Sequence, residues 1–316
     1  MRRLRRRLHT FLRRSRLRAR RPAYLGAALA SALLLAPRSA WAWHEEGHRI
    51  VAQIAAERLS AGARGRVEAL LAELPAYASM AEASVWADHI KVGEQKQTYA
   101  FSFSSHYVNV DKQLSARELH ELCLAKAGCV ATAIAYYAEV LRSEWIEPAD
   151  RAEALRFLIH FIGDVHQPLH AGRLGDLGGN KIKRLKLPVG DSPEPEQSSL
   201  HAAWDGGLIR IVMHREGWSW EAYARHLDAE LDAETIERWG RRSAFDWIEE
   251  SRRFAAANAY LHADGVTPIR TGDALGEDWL VHNRPVVEQR LQQGGVRLAL
   301  VLEELFGDTS AGQSGA

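Results

Sequence analysis

Beyond residue 49, apolar residues recur at three- and four-residue intervals through most of the chain, a spacing that puts them on one face of a 3.6-residue helix. The pattern predicts helices over 50–59, 63–74, 80–90, 130–145, 149–165, 200–213, 244–262 and 279–306. Strand signals are few. Residues 101–110 read as an extended segment, and 181–189 alternate basic and apolar positions up to a Pro-Val-Gly-Asp turn, which suits an exposed hairpin. No internal repeat and no glycine-rich phosphate loop breaks the series. The expected fold class is all-α: a mainly helical single domain with a small β-hairpin and long loops able to converge on one site.

The N-terminus departs from this pattern. Residues 1–21 hold eleven arginines and no acid, 23–36 are predominantly apolar, and Ala40-Trp41-Ala42 follows. These are the parts of an export leader cleaved after Ala42, with an apolar run well short of the ~20 residues a membrane span needs. Losing 1–42 removes twelve of the 41 basic residues and none of the 40 acidic ones, so a nearly neutral chain becomes a mature chain of net charge −11. Such a chain has no basic stripe with which to hold a duplex. A polyanionic substrate must be drawn in by local cations, and bound metal ions would be one source of them. Apart from a Pro/Glu/Ser stretch at 191–199 nothing divides the mature part, so 43–306 is read as one domain and 307–316 as a disordered Gly/Ser-rich tail. The expected location is the periplasm or the medium. Cys123 and Cys129, the only cysteines, either close a small disulfide loop in that oxidising setting or stay as two buried thiols.

The histidines carry the chemistry through their spacing. His160 with Asp164 and His201 with Asp205 are four residues apart, just over one helical turn, so each pair projects from one face as a two-point metal clamp. Downstream, Pro168 in His166-Gln167-Pro168-Leu169-His170 must break the helix and frees His170 to face elsewhere. Asp88 and His106 add a carboxylate and an imidazole from separate segments. A lone histidine is more often a hydrogen-bonded structural residue; several His/Asp segments in one chain point to metal ions. His44-Glu45-Glu46-Gly47-His48 matches the H-E-x-x-H pattern of zinc proteases, but no helix precedes it and Gly47 weakens the one it would need.

Together these residues resemble the zinc-dependent single-strand-specific nucleases of fungi and plants, the mung bean nuclease type, whose fold is shared with bacterial zinc phospholipase C. The resemblance runs through Trp43 to His48, Trp86-Ala87-Asp88, Ser105-His106-Tyr107, the block from His160 to His170, Gly178-Gly179-Asn180, Leu200 to Asp205 and Gly295 to Ala299. The departure at the N-terminus is His44, where glycine is common. The resemblance implies three zinc ions per chain. His106, His160, Asp88 and Asp164 would hold one; the freed α-amine and carbonyl of Trp43, His48 and a bridging Asp164 the second; His170, His201 and Asp205 the third. It implies hydrolysis of single-stranded RNA and DNA to 5′-nucleotides, and 3′-nucleotidase activity, by a zinc-activated hydroxide. Asp88 and Asp164 then belong to the catalytic set with Lys91, which stands where relatives often place arginine. Tyr107 would stack a base, Asn180 would line the cleft, and Asn109 replaces a base-contacting aspartate of some relatives. His44, His89 and His166 are expected to be structural or to support the ligands. The expected partners are single-stranded nucleic acid and 3′-nucleotides, with a monomeric chain and no stable membrane association. The alternatives are a phospholipase C-like activity and a non-catalytic zinc- or nucleotide-binding protein.

Overall fold

The computed structural model of the chain describes residues 43–126, 128–188, 196–240 and 242–308. The expected leader (1–42), residues 191–195 of the Pro/Glu/Ser stretch and residues 309–316 of the expected tail lie outside the described residues. Helices α1 (Glu45–Arg58), α2 (Ala61–Ala72) and α3 (Met80–His89) lead, through 3-10 turns at Gly93–Lys96 and Ala100–His106, to α4 (Ala116–Ala125), α5 (Val130–Arg142) and α6 (Pro148–Asp164). A further 3-10 turn, Pro168–Ala171, precedes β1 (Leu185–Leu187), which pairs antiparallel with β2 (Glu196–Ser198) in register Lys186 to Gln197. Then come α7 (Leu200–Ala202), a wider π turn (Ala203–Gly207), α8 (Leu208–Glu216), α9 (Trp220–Ala229), α10 (Ala233–Trp239), α11 (Ala244–Phe254), a second π turn (Ala255–Ala259) and α12 (Glu277–Phe306). The chain is thus all-α with one small hairpin, as the periodicity predicts.

Local chemistry explains most helix starts. Ser60, Ser79, Ser115, Ser219 and Ser243 each accept a hydrogen bond from a first-turn backbone N–H, and Ser115 with Glu118 closes a capping box. Pro148 opens α6, where its missing N–H costs no hydrogen bond. Three helices escape the periodicity. α4 buries only Leu119 and Cys123, α9 only Tyr223, Ala224 and Leu227, and α10 no residue fully, so their apolar stripes are too narrow to read. The expected extended segment 101–110 is a correction: Ala100–His106 coils as 3-10 helix, and extended backbone begins at Tyr107.

α6 is the axis of the fold. From Ala154 to Asp164 every residue is buried, which is how a helix reads when others cover all its sides. It contacts α1, α2, α3, α5 and α12. α12 also lies along α1, and two glycines allow that approach. A Cβ on Gly295 would stand 2.5 Å from Ile54 Cγ2 and 2.6 Å from its Cβ, and one on Gly294 3.2 Å from Val51 Cγ2. Cys123 and Cys129 are joined by a disulfide across the turn between α4 and α5. Among the described residues no single helix is long and apolar enough to cross a membrane.

Gly295→Ala tests the α1–α12 contact. Alanine gains up to about 1 kcal/mol of helix propensity. The clash with the branched centre of Ile54 is at the upper end of the roughly 1–3 kcal/mol that overpacking costs. A net loss of about 1–2 kcal/mol is expected, read as a lower urea midpoint with unchanged slope.

Candidate metal centre

α6 ends at Asp164, so its last turn presents His160 and Asp164 from the middle of the core, both with 0% exposure. His48 reaches the same point from the first turns of α1, Asp88 from the last turn of α3, and His106 from the end of the 3-10 stretch. Gly163 makes room: a Cβ there would lie 2.7 Å from His48 Nδ1, and without it His48 stacks on His160 with ring centroids 3.9 Å apart. Trp43 is buried against the same turn and donates its indole N–H to the Gly163 carbonyl at 2.9 Å.

Three groups of donor atoms form, each drawn within 4.8 Å: His48, His160 and Asp164; Asp88, His106 and His160; and His170, His201 and Asp205. The last coincides with the set implied by the resemblance. In the other two, His160 faces both groups, and Asp164 spans them, with Oδ1 3.5 Å from His48 Nε2 and Oδ2 2.8 Å from His106 Nδ1 and 3.1 Å from His160 Nε2. His170 Nδ1 lies 3.6 Å from Asp164 Oδ1, which links the third group to the others. His44, the first histidine of the protease-like pattern, belongs to none of these groups.

Backbone carbonyls fix three tautomers. His160 Nδ1 donates to Ser84 O at 2.6 Å, His170 Nδ1 to His106 O at 2.8 Å and His201 Nδ1 to Gly178 O at 2.7 Å. A carbonyl only accepts, so each of these rings carries its proton on Nδ1 and turns a lone pair on Nε2 toward the centre. His166 is different. Its Nδ1 donates to Ile162 O at 2.7 Å and its Nε2 accepts from Arg297 at 2.9 Å, so both nitrogens are taken away from the centre.

Five buried polar atoms here have no hydrogen-bond partner: both nitrogens of His48, His106 Nε2, Asp164 Oδ1 and Asp205 Oδ2. Buried polar groups are otherwise almost always paired. Imidazole nitrogens and carboxylate oxygens left bare at one point are a donor set that fits divalent ions of the zinc type. The charges agree. Burial pushes the His160 and His201 imidazoles down to about 4, and those of His106 and His170 well below their ordinary value, so all stay neutral and able to donate a lone pair. Burial pushes Asp164 up to about 7 and Asp205 well above the carboxylate range. Burial also opposes the charge on Asp88, but the Lys91 ammonium, 2.6 Å from Asp88 Oδ1, and the nearby His160 and His48 outweigh it and hold that carboxyl down to about 2.

Around the centre, Tyr107 is exposed next to His106, while Asn109 is buried. Their segment runs extended beside the His170 turn, with Val108 N–H bonded to His170 O and Val110 N–H to Gly172 O, each at 2.8 Å. Asn180 turns its amide to Leu177 O at 2.9 Å, within its own loop. Other contributors have no motif to mark them. Gln167 donates to Asp205 Oδ1 and accepts from Leu169 N–H, so it orients a carboxylate of the third group. Asp176 accepts from Gly179 N–H at 2.7 Å and from the Tyr260 hydroxyl at 3.0 Å, holding the loop whose Gly178 carbonyl receives His201. Asp205 lies in the π turn, where the regular helix expected over 200–213 is wound one residue wider.

This architecture and this donor set define an all-α protein with a buried cluster of His and Asp side chains that could hold metal ions. The chain belongs to the S1/P1 Nuclease family, whose sequence pattern matches residues 43–307. It is 32% identical to Endonuclease 2 of Arabidopsis thaliana over 292 residues, covering 87% of this chain and 94% of that one. It is 28% identical to Nuclease S1 of Aspergillus oryzae, covering 87% and 96%, and 26% identical to Nuclease P1 of Penicillium citrinum, covering 85% and 100%. Membership makes it a phosphodiester-hydrolysing enzyme.

Acid should destabilise the metal-free protein. His48, His106, His160, His166, His170 and His201 are all held below the ordinary 6.5, so between about 6.5 and 4 the unfolded chain binds more protons than the folded one, and stability falls as pH falls. Asp164 and Asp205, held high, act in the opposite direction, but they are two against six. Urea midpoints measured with a chelator present should drop from pH 6.5 to pH 4; a rise would contradict the buried neutral imidazoles.

Proposed function

We propose that this chain is an exported zinc phosphoesterase that cleaves single-stranded RNA and DNA to 5′-nucleotides and removes 3′-phosphates from nucleotides, using three zinc ions. His106, His160, Asp88 and Asp164 hold the first. The amine and carbonyl of Trp43, freed by cleavage after Ala42, hold the second with His48 and Asp164, and His170, His201 and Asp205 hold the third. The reading is carried by one observation: of the thirteen unpartnered buried side-chain atoms among the described residues, five, on His48, His106, Asp164 and Asp205, belong to these donor groups. That the family match begins at Trp43 supports the processing step.

Zinc bound there lowers the pKa of a water and polarises phosphate oxygens. The protein supplies the rest. Asp164 presents one oxygen to each of two groups of imidazoles, and Lys91 keeps Asp88 ionised while adding a positive charge as a point donor. Neutral His160, His170 and His201 keep their Nε2 lone pairs directed inward because their Nδ1 protons are committed to carbonyls. The exposed ring of Tyr107 offers a face for an unstacked base. A duplex keeps its bases stacked and cannot bring its backbone into so buried a centre.

Zinc content and hydrolysis of single-stranded RNA, a 3′-nucleotide and a phosphocholine ester, measured on the protein starting at Trp43, test this reading. About three zinc ions with turnover of the first two substrates is expected; three zinc ions with no phosphodiester cleavage would overturn the nuclease assignment. Asp164→Asn should lower zinc affinity and activity by more than the roughly 10–100-fold that follows loss of a residue merely supporting a ligand. One extra residue before Trp43 should cost one zinc and most of the activity. Full activity in that extended chain would remove Trp43 from the ligand set.

A further inference from the structure

The hairpin edge next to the third donor group carries four exposed cations, Lys183, Arg184, Lys186 and Arg270. Several surface arginines meet carboxylates: Arg49 with Glu45 at 2.7 Å, Arg142 with Glu139 at 2.6 Å, Arg215 with Glu277 at 2.5 Å and Arg284 with Glu216 at 2.6 Å. Among the described residues no carboxylate forms an ion pair with any of the four hairpin cations. Asp273, in the adjoining turn, is engaged by His262 Nε2 at 3.0 Å and by the backbone N–H of Arg270 at 2.7 Å.

The backbone beneath them is fixed on both sides. β2 pairs with β1 along one edge, and on the other Gly272 N–H bonds Lys183 O at 2.9 Å, Lys186 N–H bonds Asp273 O at 3.0 Å and Leu275 N–H bonds Lys186 O at 2.9 Å. Leu185 and Leu187 are buried, so Lys186 between them points outward. Arg184 takes a left-handed φ of 57°, a conformation that costs a non-glycine residue energy. The edge starts at the metal centre: Ile182 O receives Leu200 N–H at 2.9 Å, and Gly178 O receives His201 Nδ1 at 2.7 Å. From Ile182 to Lys186 the chain spans at most about 14 Å.

In a mature chain of net charge −11, four exposed cations along one hairpin edge and its adjoining turn form a local positive feature in a negative field. A row of phosphates complements it. We propose that this edge is a track for the sugar–phosphate backbone of a single-stranded polynucleotide leaving the metal centre, so that polymers are preferred over dinucleotides through charge alone. The track rests on the nuclease reading above and adds to it a preference for substrate length. It reads phosphates, so it carries no base preference.

The test compares poly(A) with the dinucleotide ApA on the zinc-loaded mature protein, as kcat/KM against salt. Each phosphate neutralised on a single strand contributes about −0.7 to the log–log slope. The combined Lys183→Gln, Arg184→Gln, Lys186→Gln variant should therefore show a slope on poly(A) shallower by about 2, and a kcat/KM at low salt reduced about tenfold or more. Its rate on ApA and its zinc content should match wild type. If that variant fails to fold, the pair Lys183→Gln, Arg270→Gln, which leaves β1 intact, should flatten the slope by about 1.4. Unchanged poly(A) slopes would overturn the track. A wild-type protein that cleaves neither substrate would instead overturn the nuclease reading beneath it.

Discussion

Asp164 puts a carboxyl group in the middle of the protein with His48, His106, His160 and His170 at 2.8 to 3.6 Å around it. Taking a carboxylate and so many imidazoles out of water is costly unless each finds a partner, and hydrogen bonds within the protein do not provide all of them. Much of the architecture is a response to that one arrangement. Four rings from four chain segments can meet a single carboxyl group only where a helix stops inside the core, and α6 stops there. Gly163 strips its last turn of the side chain that would displace His48.

A helix end in the core needs support from behind, and a buried ionic network provides it. Arg290 and Arg297 project from α12 to Glu250 of α11, at 3.2 and 2.6 Å. Arg290 also donates to the His166 carbonyl at 3.0 Å, and Ser251 to the carbonyl of Val165. The backbone on the C-terminal side of Asp164 is therefore gripped by two helices distant in sequence. Breaking one partner of such a network leaves a buried charge uncompensated, so its rigidity is hard to lose piecemeal. The Gly-Val-Arg-Leu-Ala run near the C-terminus, far from the histidines in sequence, belongs to the same construction: Gly295 brings α12 close, and Arg297 completes the contact with His166.

The long helices and the two His/Asp pairs were legible in the sequence because both depend on fixed spacing. A stripe at i, i+3, i+4 and a pair at i, i+4 survive translation into structure unless something changes the winding. Where the winding changes, the apolar pattern misleads, as at the 3-10 stretch Ala100–His106 that reads as extended; the His201/Asp205 pair holds at 3.3 Å although Asp205 sits in a π turn. Gln167, Asp176 and Tyr260 were not legible for another reason. Each acts by one hydrogen bond to a residue that only the folded chain brings near, and a single amide, carboxyl or hydroxyl carries no spacing. His160 facing two donor groups is likewise a property of three-dimensional convergence, since its helical pairing accounts only for Asp164.

Trp43 has a bearing on the order of events in the life of the chain. Its side chain is sealed against the last turn of α6 and bonded to the Gly163 carbonyl. A peptidase acts on extended, accessible backbone, and docking of the indole holds Trp43, the residue after the proposed cut, against the core. In the proposed processing, the leader must therefore be cut while this end is still undocked, before the core closes. Maturation and folding would then compete in time, and a chain that folds early would lock in a precursor with its N-terminal amine still in peptide linkage.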